Sequence, residues 1–183
     1  MRAIDYTCPM NEQLPEIQNP YELLGLDVSF AIEPSAIERA YLKRIASAHP
    51  DRVGDTGAVD AAALNEARRC LLDAESRANT VLRLLGGPSA SEDRSLPEGF
   101  LMEMMDTRSA MEEELDADPD AARAKWRQWG SDERKKYSQE FELLLSEPGS
   151  LGACRTQLNA WRYIERLIEQ LDPEYDPARA DFS

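Results

Sequence analysis

The chain has a single histidine, His49, and it stands directly before Pro50 and Asp51. A histidine ring nitrogen can donate a hydrogen bond, and an aspartate carboxylate accepts one while carrying a full negative charge. Pro50 has no backbone N–H, and it pushes the residue before it out of the helical conformation. We therefore expect these three residues to form a stiff, exposed polar corner that is suited to binding a charged surface of another protein.

Two other interpretations of this corner remain open. The three residues can form a plain turn that ends a helix, since a histidine is favourable near a helix C-terminus, and on these residues alone the turn is the simpler interpretation. His49 can also act as a general base. Nothing near it in the sequence suggests a partner that would orient the imidazole, so we predict no catalytic residue and do not expect the chain to be an enzyme.

Cations surround the corner in an otherwise acidic protein. The net charge of the chain is −14, whereas the stretch 39–52 contains one anion and four cations: Arg39, Lys43, Arg44 and Arg52. Arg39 and Lys43 lie one turn apart on a predicted helix, opposite its apolar stripe. Such a positive face can steer association with an acidic partner. The alternative is an ordinary solvated helix face.

Charge and cysteine usage argue against several functional classes. A strongly acidic chain is a poor binder of nucleic acid or of acidic lipid surfaces, and no apolar run approaches the ~18 residues that span a membrane. Cys8, Cys70 and Cys154 are widely spaced and form no CxxC motif, which favours a reducing, cytoplasmic setting without disulfides. Three cysteines and His49 match the ligand number of a zinc site but not its usual spacing, so we expect no metal and no cofactor.

Apolar residues recur with helical periodicity along the whole chain, which predicts an all-α protein. Asn19-Pro20 and Glu33-Pro34 each open a helix. Two more helices, one from about residue 59 and one over 74–85, precede the stop at 86–88. Three longer helices are predicted over about 97–117, 120–146 and 151–171, with an interruption at Gly130-Ser131 left open, and they predict an antiparallel bundle.

The helix over 97–117 is too apolar for one buried stripe. At about 100° per residue, four side chains share an arc expected to face the core: Phe100, Met104, Met111 and Leu115. Leu101, Met102 and Met105 fall on a second arc, which continues into acidic residues. Methionine suits a binding surface because its side chain is adaptable. The alternative is that the first half of the chain covers this second arc.

The first half of the chain resembles a J domain of the HscB type, found in the J-protein co-chaperones of iron–sulfur cluster assembly. The resemblance is carried by NPYELLGL at 19–26, HPD at 49–51 and LNEARRCLLDAESRANTVLRLLG at 64–86. It implies a helical hairpin that presents His49, Pro50 and Asp51 to an HscA/DnaK-type chaperone and stimulates its ATPase. Arg39 and Lys43 would then supply electrostatic docking, with Arg52 beside the motif.

The second half is similar to the C-terminal bundle of the same family, through FLMEMMDTR at 100–108 and LNAWRYIERL at 158–167. The resemblance implies that this bundle binds an IscU-type iron–sulfur scaffold protein. The residues carried over by position are Leu101, Met102, Met105, Asp106, Glu113 and Tyr163. The alternative function is a J-domain co-chaperone whose helical module binds a different client.

The expected organisation has five parts, and the protein is expected to be a monomer. The parts are an extension (1–18), a J domain (19–87), a linker (88–96), a three-helix bundle (97–172) and a tail (173–183).

Overall fold

The structure is a computed structural model, and it describes residues 19–47 and 61–172. Within these ranges the chain forms seven α-helices and no strand, which confirms the all-α prediction. The helices are α1 (Pro20–Leu24), α2 (Pro34–Ser47), α3 (Ala61–Leu72), α4 (Ala74–Leu84), α5 (Phe100–Ala117), α6 (Pro119–Leu145) and α7 (Leu151–Glu169).

The helix starts follow local capping chemistry. The side chain of Asn19 accepts a hydrogen bond from the Tyr21 amide at 3.0 Å, and Pro20 occupies the first helical position of α1. Asp73 caps α4 and Asp118 caps α6 in the same way, through amides three residues further on. Each cap satisfies a backbone N–H that has no partner inside its own helix, which explains why these starts could be placed from sequence.

The first four helices form the N-terminal half of the fold. Helices α2 and α3 make an antiparallel pair, and the short α1 packs on α3. Their shared core contains Tyr21, Leu24, Ile37, Leu64 and Leu71, all fully or almost fully buried. The predicted stripe of α2 is only partly buried beyond Ile37, because Tyr41 and Ile45 lie at the margin of this small core.

Helices α5, α6 and α7 form the predicted antiparallel bundle. Helix α7 supplies its most buried face, which carries Cys154, Leu158, Trp161 and Ile164. Leu171, two residues beyond the end of α7, is buried as well. The same helix buries one acid, Glu165. Its carboxylate accepts hydrogen bonds from Arg134 of α6 at 2.5–3.0 Å and from the Trp161 indole at 3.0 Å. A buried charge is tolerated when it is paired and hydrogen-bonded in this manner.

Helix α6 runs without interruption through Gly130 and Ser131, where the sequence had left a break open. Gly130 is buried against α7, and a Cβ atom built at this position would lie 2.6 Å from Cγ1 of Ile168. The glycine therefore permits close approach of two helices and does not end one.

The two halves are joined through α4, which packs on α7 and on α6. Arg155 of α7 donates a hydrogen bond to the Asn79 side chain of α4 at 2.8 Å. Phe30 packs edge-on against Phe141 of α6, with ring centroids 4.9 Å apart. The connection over 88–96 is also held in place, because the Asn159 side chain donates to two of its backbone carbonyls at 3.0 Å each.

Candidate interaction surfaces

The predicted polar corner formed by His49, Pro50 and Asp51, together with Arg52, lies outside the residues that the structure describes. The two helices that flank it are described and are held together by side chains. The Tyr41 hydroxyl donates to Asn65 at 2.7 Å, and Arg68 of α3 donates to both carboxylate oxygens of Glu38 at 2.8 and 2.6 Å. These contacts hold α2 and α3 together as an antiparallel pair.

The outer face of α2 is positive. Arg39 and Lys43 are both exposed, and within residues 19–47 and 61–172 neither forms an ion pair. Glu38 is turned towards α3, where the hydrogen bonds from Arg68 hold the pKa of its carboxyl below the usual range. Because Glu38 is neutralised by Arg68, the charges of Arg39 and Lys43 are left to act on the surroundings.

Leu42 is a residue of this face that sequence reasoning did not single out. Its side chain is 62% exposed, and it lies three residues after Arg39 and directly before Lys43 in α2. Helical periodicity could have identified it, because Leu42 lies off the apolar stripe of α2. The second apolar arc of α5 was identified by the same reasoning. An exposed leucine beside two cations makes the face apolar as well as positive.

Helix α5 presents the second arc of apolar residues to solvent. The exposed fractions are 51% for Leu101, 73% for Met102 and 71% for Met105. Met104 and Met111 on the other arc are buried, which confirms the division of the helix into two apolar arcs. The alternative, that the first half of the chain covers the second arc, is wrong because these three side chains remain open.

Tyr163 extends this surface from α5 to α7. It is 39% exposed, and its ring packs edge-on against Phe100 with a centroid separation of 5.7 Å. Phe100 immediately precedes Leu101, so the tyrosine lies beside the start of the exposed arc. We call the four residues Leu101, Met102, Met105 and Tyr163 the methionine patch. Exposed apolar surface that continues across two helices is typical of a protein-binding site.

The flank of the methionine patch along α5 is acidic. Asp106 and Glu113 are exposed and form no ion pair among the residues described. Glu112 differs because Arg108 contacts it at 2.7 Å, one helical turn away. A partner that covers this region would meet an apolar centre and an uncompensated negative border, which favours a partner with an apolar surface bordered by cations.

In the described ranges no helix is both long enough and apolar enough to cross a membrane. No three or more histidine, cysteine, aspartate or glutamate side chains in those ranges are grouped as ligands for a metal ion.

Comparison with known proteins matches both halves of the chain to the same group. The family model described as "HSCB C-terminal oligomerisation domain" matches residues 96–172. The "Co-chaperone protein HscB homolog" of Bordetella pertussis is 30% identical over 159 residues, covering 82% of this chain and 92% of the relative. The homolog of Paraburkholderia phytofirmans is 28% identical over 165 residues, covering 85% and 93%.

Solved structures show the same fold. The chaperone HscB from Vibrio cholerae superposes with a TM-score of 0.66 at 25% identity, covering 84% of this chain and 95% of that structure. The human co-chaperone protein HscB also gives a TM-score of 0.66, at 20% identity, and covers 93% and 90% of the two chains. At 20% identity, the similarity to the human structure shows the fold alone.

Proposed function

The chain belongs to the HscB family of co-chaperones, and from that premise we propose that it couples two partners. His49, Pro50 and Asp51 stimulate the ATPase of an HscA/DnaK-type chaperone. The methionine patch binds an IscU-type iron–sulfur scaffold protein and brings it to that chaperone. The chain acts in the cytoplasm as a monomeric adaptor without a cofactor, and ATP hydrolysis takes place on the chaperone.

The observation that carries the scaffold assignment is the exposure of the methionine patch in the half of the chain that matches the family domain. Its side chains span two helices, and the Phe100–Tyr163 contact supports the patch from beneath. Large exposed aromatic and thioether side chains are the groups that dominate binding energy at protein interfaces. Asp106 and Glu113 give the contact a charged border that can select a basic partner surface.

The chaperone assignment is supported by charge. Within residues 19–47 and 61–172, Arg39 and Lys43 form no ion pair on the outer face of α2, and Leu42 is exposed on the same helix. Charges at the rim of an interface mainly raise the rate of association and make it dependent on salt. We therefore expect stimulation of the ATPase to weaken as salt is raised.

The test is an ATPase assay with an HscA/DnaK-type chaperone and the scaffold, comparing the parent chain, His49→Gln and the pair Leu101→Ala with Met105→Ala. His49→Gln is expected to abolish stimulation and to leave scaffold binding intact. The patch variant is expected to keep the stimulation given without scaffold and to lose the added effect of scaffold. Full stimulation by His49→Gln would overturn the chaperone assignment.

The alternative function, a J-domain co-chaperone with another client, is separated by direct binding. In that case the parent chain would not bind the scaffold, and the patch variant would behave like the parent. A second copy of this chain is another occupant to be tested, since the matching family model is described as an oligomerisation domain. Sedimentation as a dimer that the patch variant abolishes would assign the methionine patch to self-association.

A further inference from the structure

Helix α5 carries sulfur chemistry that the proposed function does not use. Most of the methionines of the chain lie in this helix, at Met102, Met104, Met105 and Met111. Their surroundings divide them into two pairs. Met102 and Met105 are 73% and 71% exposed, whereas Met104 and Met111 are 8% and 2% exposed. One helix therefore offers two open thioethers beside two enclosed ones.

A methionine thioether is an apolar group that mild oxidants convert to a polar one. The sulfur lone pair attacks the O–H oxygen of a hydroperoxide, and an S–O bond forms as the O–O bond breaks. The sulfur loses two electrons and the peroxide gains them. The hydroxyl proton passes to the departing oxygen, which leaves as an alcohol or as water. The product, methionine sulfoxide, is reduced back to methionine by methionine sulfoxide reductases.

The charge around the exposed pair favours a neutral oxidant. Asp106 follows Met105 directly and lies one helical turn after Met102, and it forms no ion pair among the residues described. The one cation of α5, Arg108, already contacts Glu112 at 2.7 Å. This uncompensated negative charge repels an anionic oxidant, whereas a neutral hydroperoxide approaches without that penalty.

The position of the two sulfur atoms connects their oxidation to binding. Met102 and Met105 account for two of the four side chains of the methionine patch. A sulfoxide oxygen that is pressed against an apolar partner loses its hydrogen bonds to water, which makes the contact unfavourable. In the free chain both side chains face solvent, so their sulfoxides stay hydrated and the helix stays packed through Met104 and Met111.

We propose that Met102 and Met105 form a reversible oxidation site. A neutral hydroperoxide converts them to sulfoxides, and the sulfoxides release the partner held by the methionine patch. The oxidation step depends on the exposure of these two side chains alone, whereas the release step rests on the proposed function.

Peptide mass spectrometry of the full-length chain tests the oxidation step. The chain is treated with dilute hydrogen peroxide, and the sulfoxide at each methionine of α5 is followed over time. We expect Met102 and Met105 to be oxidised about tenfold faster than Met104 and Met111, because susceptibility follows exposure. In concentrated guanidinium chloride the four rates are expected to converge, since unfolding opens every side chain. Equal rates in the folded chain would overturn the oxidation site.

The preference for a neutral oxidant is tested by salt. The rates at Met102 and Met105 with hydrogen peroxide are expected to stay constant as salt is raised, because a neutral molecule does not sense the charge of Asp106. With an anionic oxidant such as peroxymonosulfate, the rates are expected to rise as salt screens that charge. The same salt response for both oxidants would overturn the preference.

Affinity selection tests the release step without altering the sequence. Partly oxidised chain is mixed with a limiting amount of immobilised IscU-type scaffold, and the bound and unbound fractions are analysed by mass spectrometry. We expect sulfoxide at Met102 and Met105 to be about tenfold enriched in the unbound fraction, because burying the sulfoxide oxygen weakens the contact. Treating that fraction with methionine sulfoxide reductases is expected to restore binding, which separates this effect from oxidation of cysteine. An even division of the two sulfoxides between the fractions would overturn the release step.

Failure of the proposed function gives a different result. If the unoxidised chain does not bind the scaffold, the scaffold assignment falls and the release step falls with it. The oxidation rates are measured without any partner, so they decide the oxidation site independently of that outcome.

Discussion

The Arg155 guanidinium of α7 donates a 2.8 Å hydrogen bond to the side-chain oxygen of Asn79 in α4. The Asn79 amide in turn donates to Glu75 at 2.8 Å, and Arg155 also donates to Asn159 at 2.9 Å. Burial lowers the pKa of Arg155, and hydrogen bonds compensate for that desolvation. This polar network fixes how the helices of the N-terminal half sit on the bundle, and so sets the distance between the two proposed binding surfaces.

Replacing Arg155 tests how much the junction contributes to stability. We expect Arg155→Met to lower the free energy of unfolding by about 2–3 kcal/mol, because the side-chain oxygen of Asn79 loses a charged donor while it stays enclosed. Urea denaturation followed by circular dichroism measures the loss. Arg127→Met is the control, since Arg127 is exposed and makes no ion pair within the described residues. Similar losses in both variants would contradict a special role for the junction.

The two methionine arcs of α5 give opposite predictions. Leu101→Ala with Met105→Ala is expected to weaken scaffold binding by about 2 kcal/mol or more. Its effect on unfolding should be small, because both side chains are largely exposed. Met104→Ala is the matched control. It removes a buried side chain of the same helix, and it should cost about 2–5 kcal/mol of stability while leaving the affinity of folded molecules unchanged. Calorimetric binding and urea denaturation separate the outcomes, and a patch variant that unfolds like Met104→Ala would show that the patch is core.

The two apolar arcs of α5 could be predicted because each residue of an α-helix is rotated by about 100° from the one before it. This rotation alone directs the side chains of Leu101 and Met104 to different sides of the helix. The start of α1 at Asn19-Pro20 was similarly local. Contacts between distant parts of the chain could not be read from the sequence. Arg155 and Asn79 are 76 residues apart, and nothing in the sequence around either residue indicates the other. The approach of Tyr163 to Phe100 also depends on how α7 packs against α5, so the sequence left open whether the tyrosine belongs to the patch.

Glu75 makes stability depend on pH. Burial raises the pKa of its carboxyl, and Arg162, at 3.7 Å, only partly opposes this. The folded chain therefore holds the proton to a higher pH than the unfolded chain, in which the group titrates near 4.5. The contribution of Glu75 to stability falls as the pH rises from about 4.5 through the folded pKa, and the loss is complete above it.

Glu75→Gln removes this titration and keeps an oxygen that can accept from Asn79. We expect the variant to be more stable than the parent chain at pH 7, with the difference shrinking towards pH 4.5. Urea denaturation at several pH values measures the trend. Glu98→Gln serves as the control because Glu98 is exposed and has no ion-pair partner in the described ranges. A difference between Glu75→Gln and the parent that does not change with pH would contradict the assignment.

Gly130 offers a test of close packing between α6 and α7. In an open helix position, Gly→Ala stabilises by about 1 kcal/mol. At Gly130 the new methyl group would lie 2.6 Å from Cγ1 and 2.7 Å from Cδ1 of Ile168, and overpacking of a core typically costs about 1–3 kcal/mol. We therefore expect Gly130→Ala to lower the free energy of unfolding, as measured by urea denaturation. Gly152→Ala, where nothing lies within 4 Å of the added atom, should not lower it. Adding Ile168→Val removes Cδ1 and should recover part of the stability lost in Gly130→Ala. If the double variant is no more stable than the sum of the two single changes predicts, contact with Ile168 does not explain why residue 130 is a glycine.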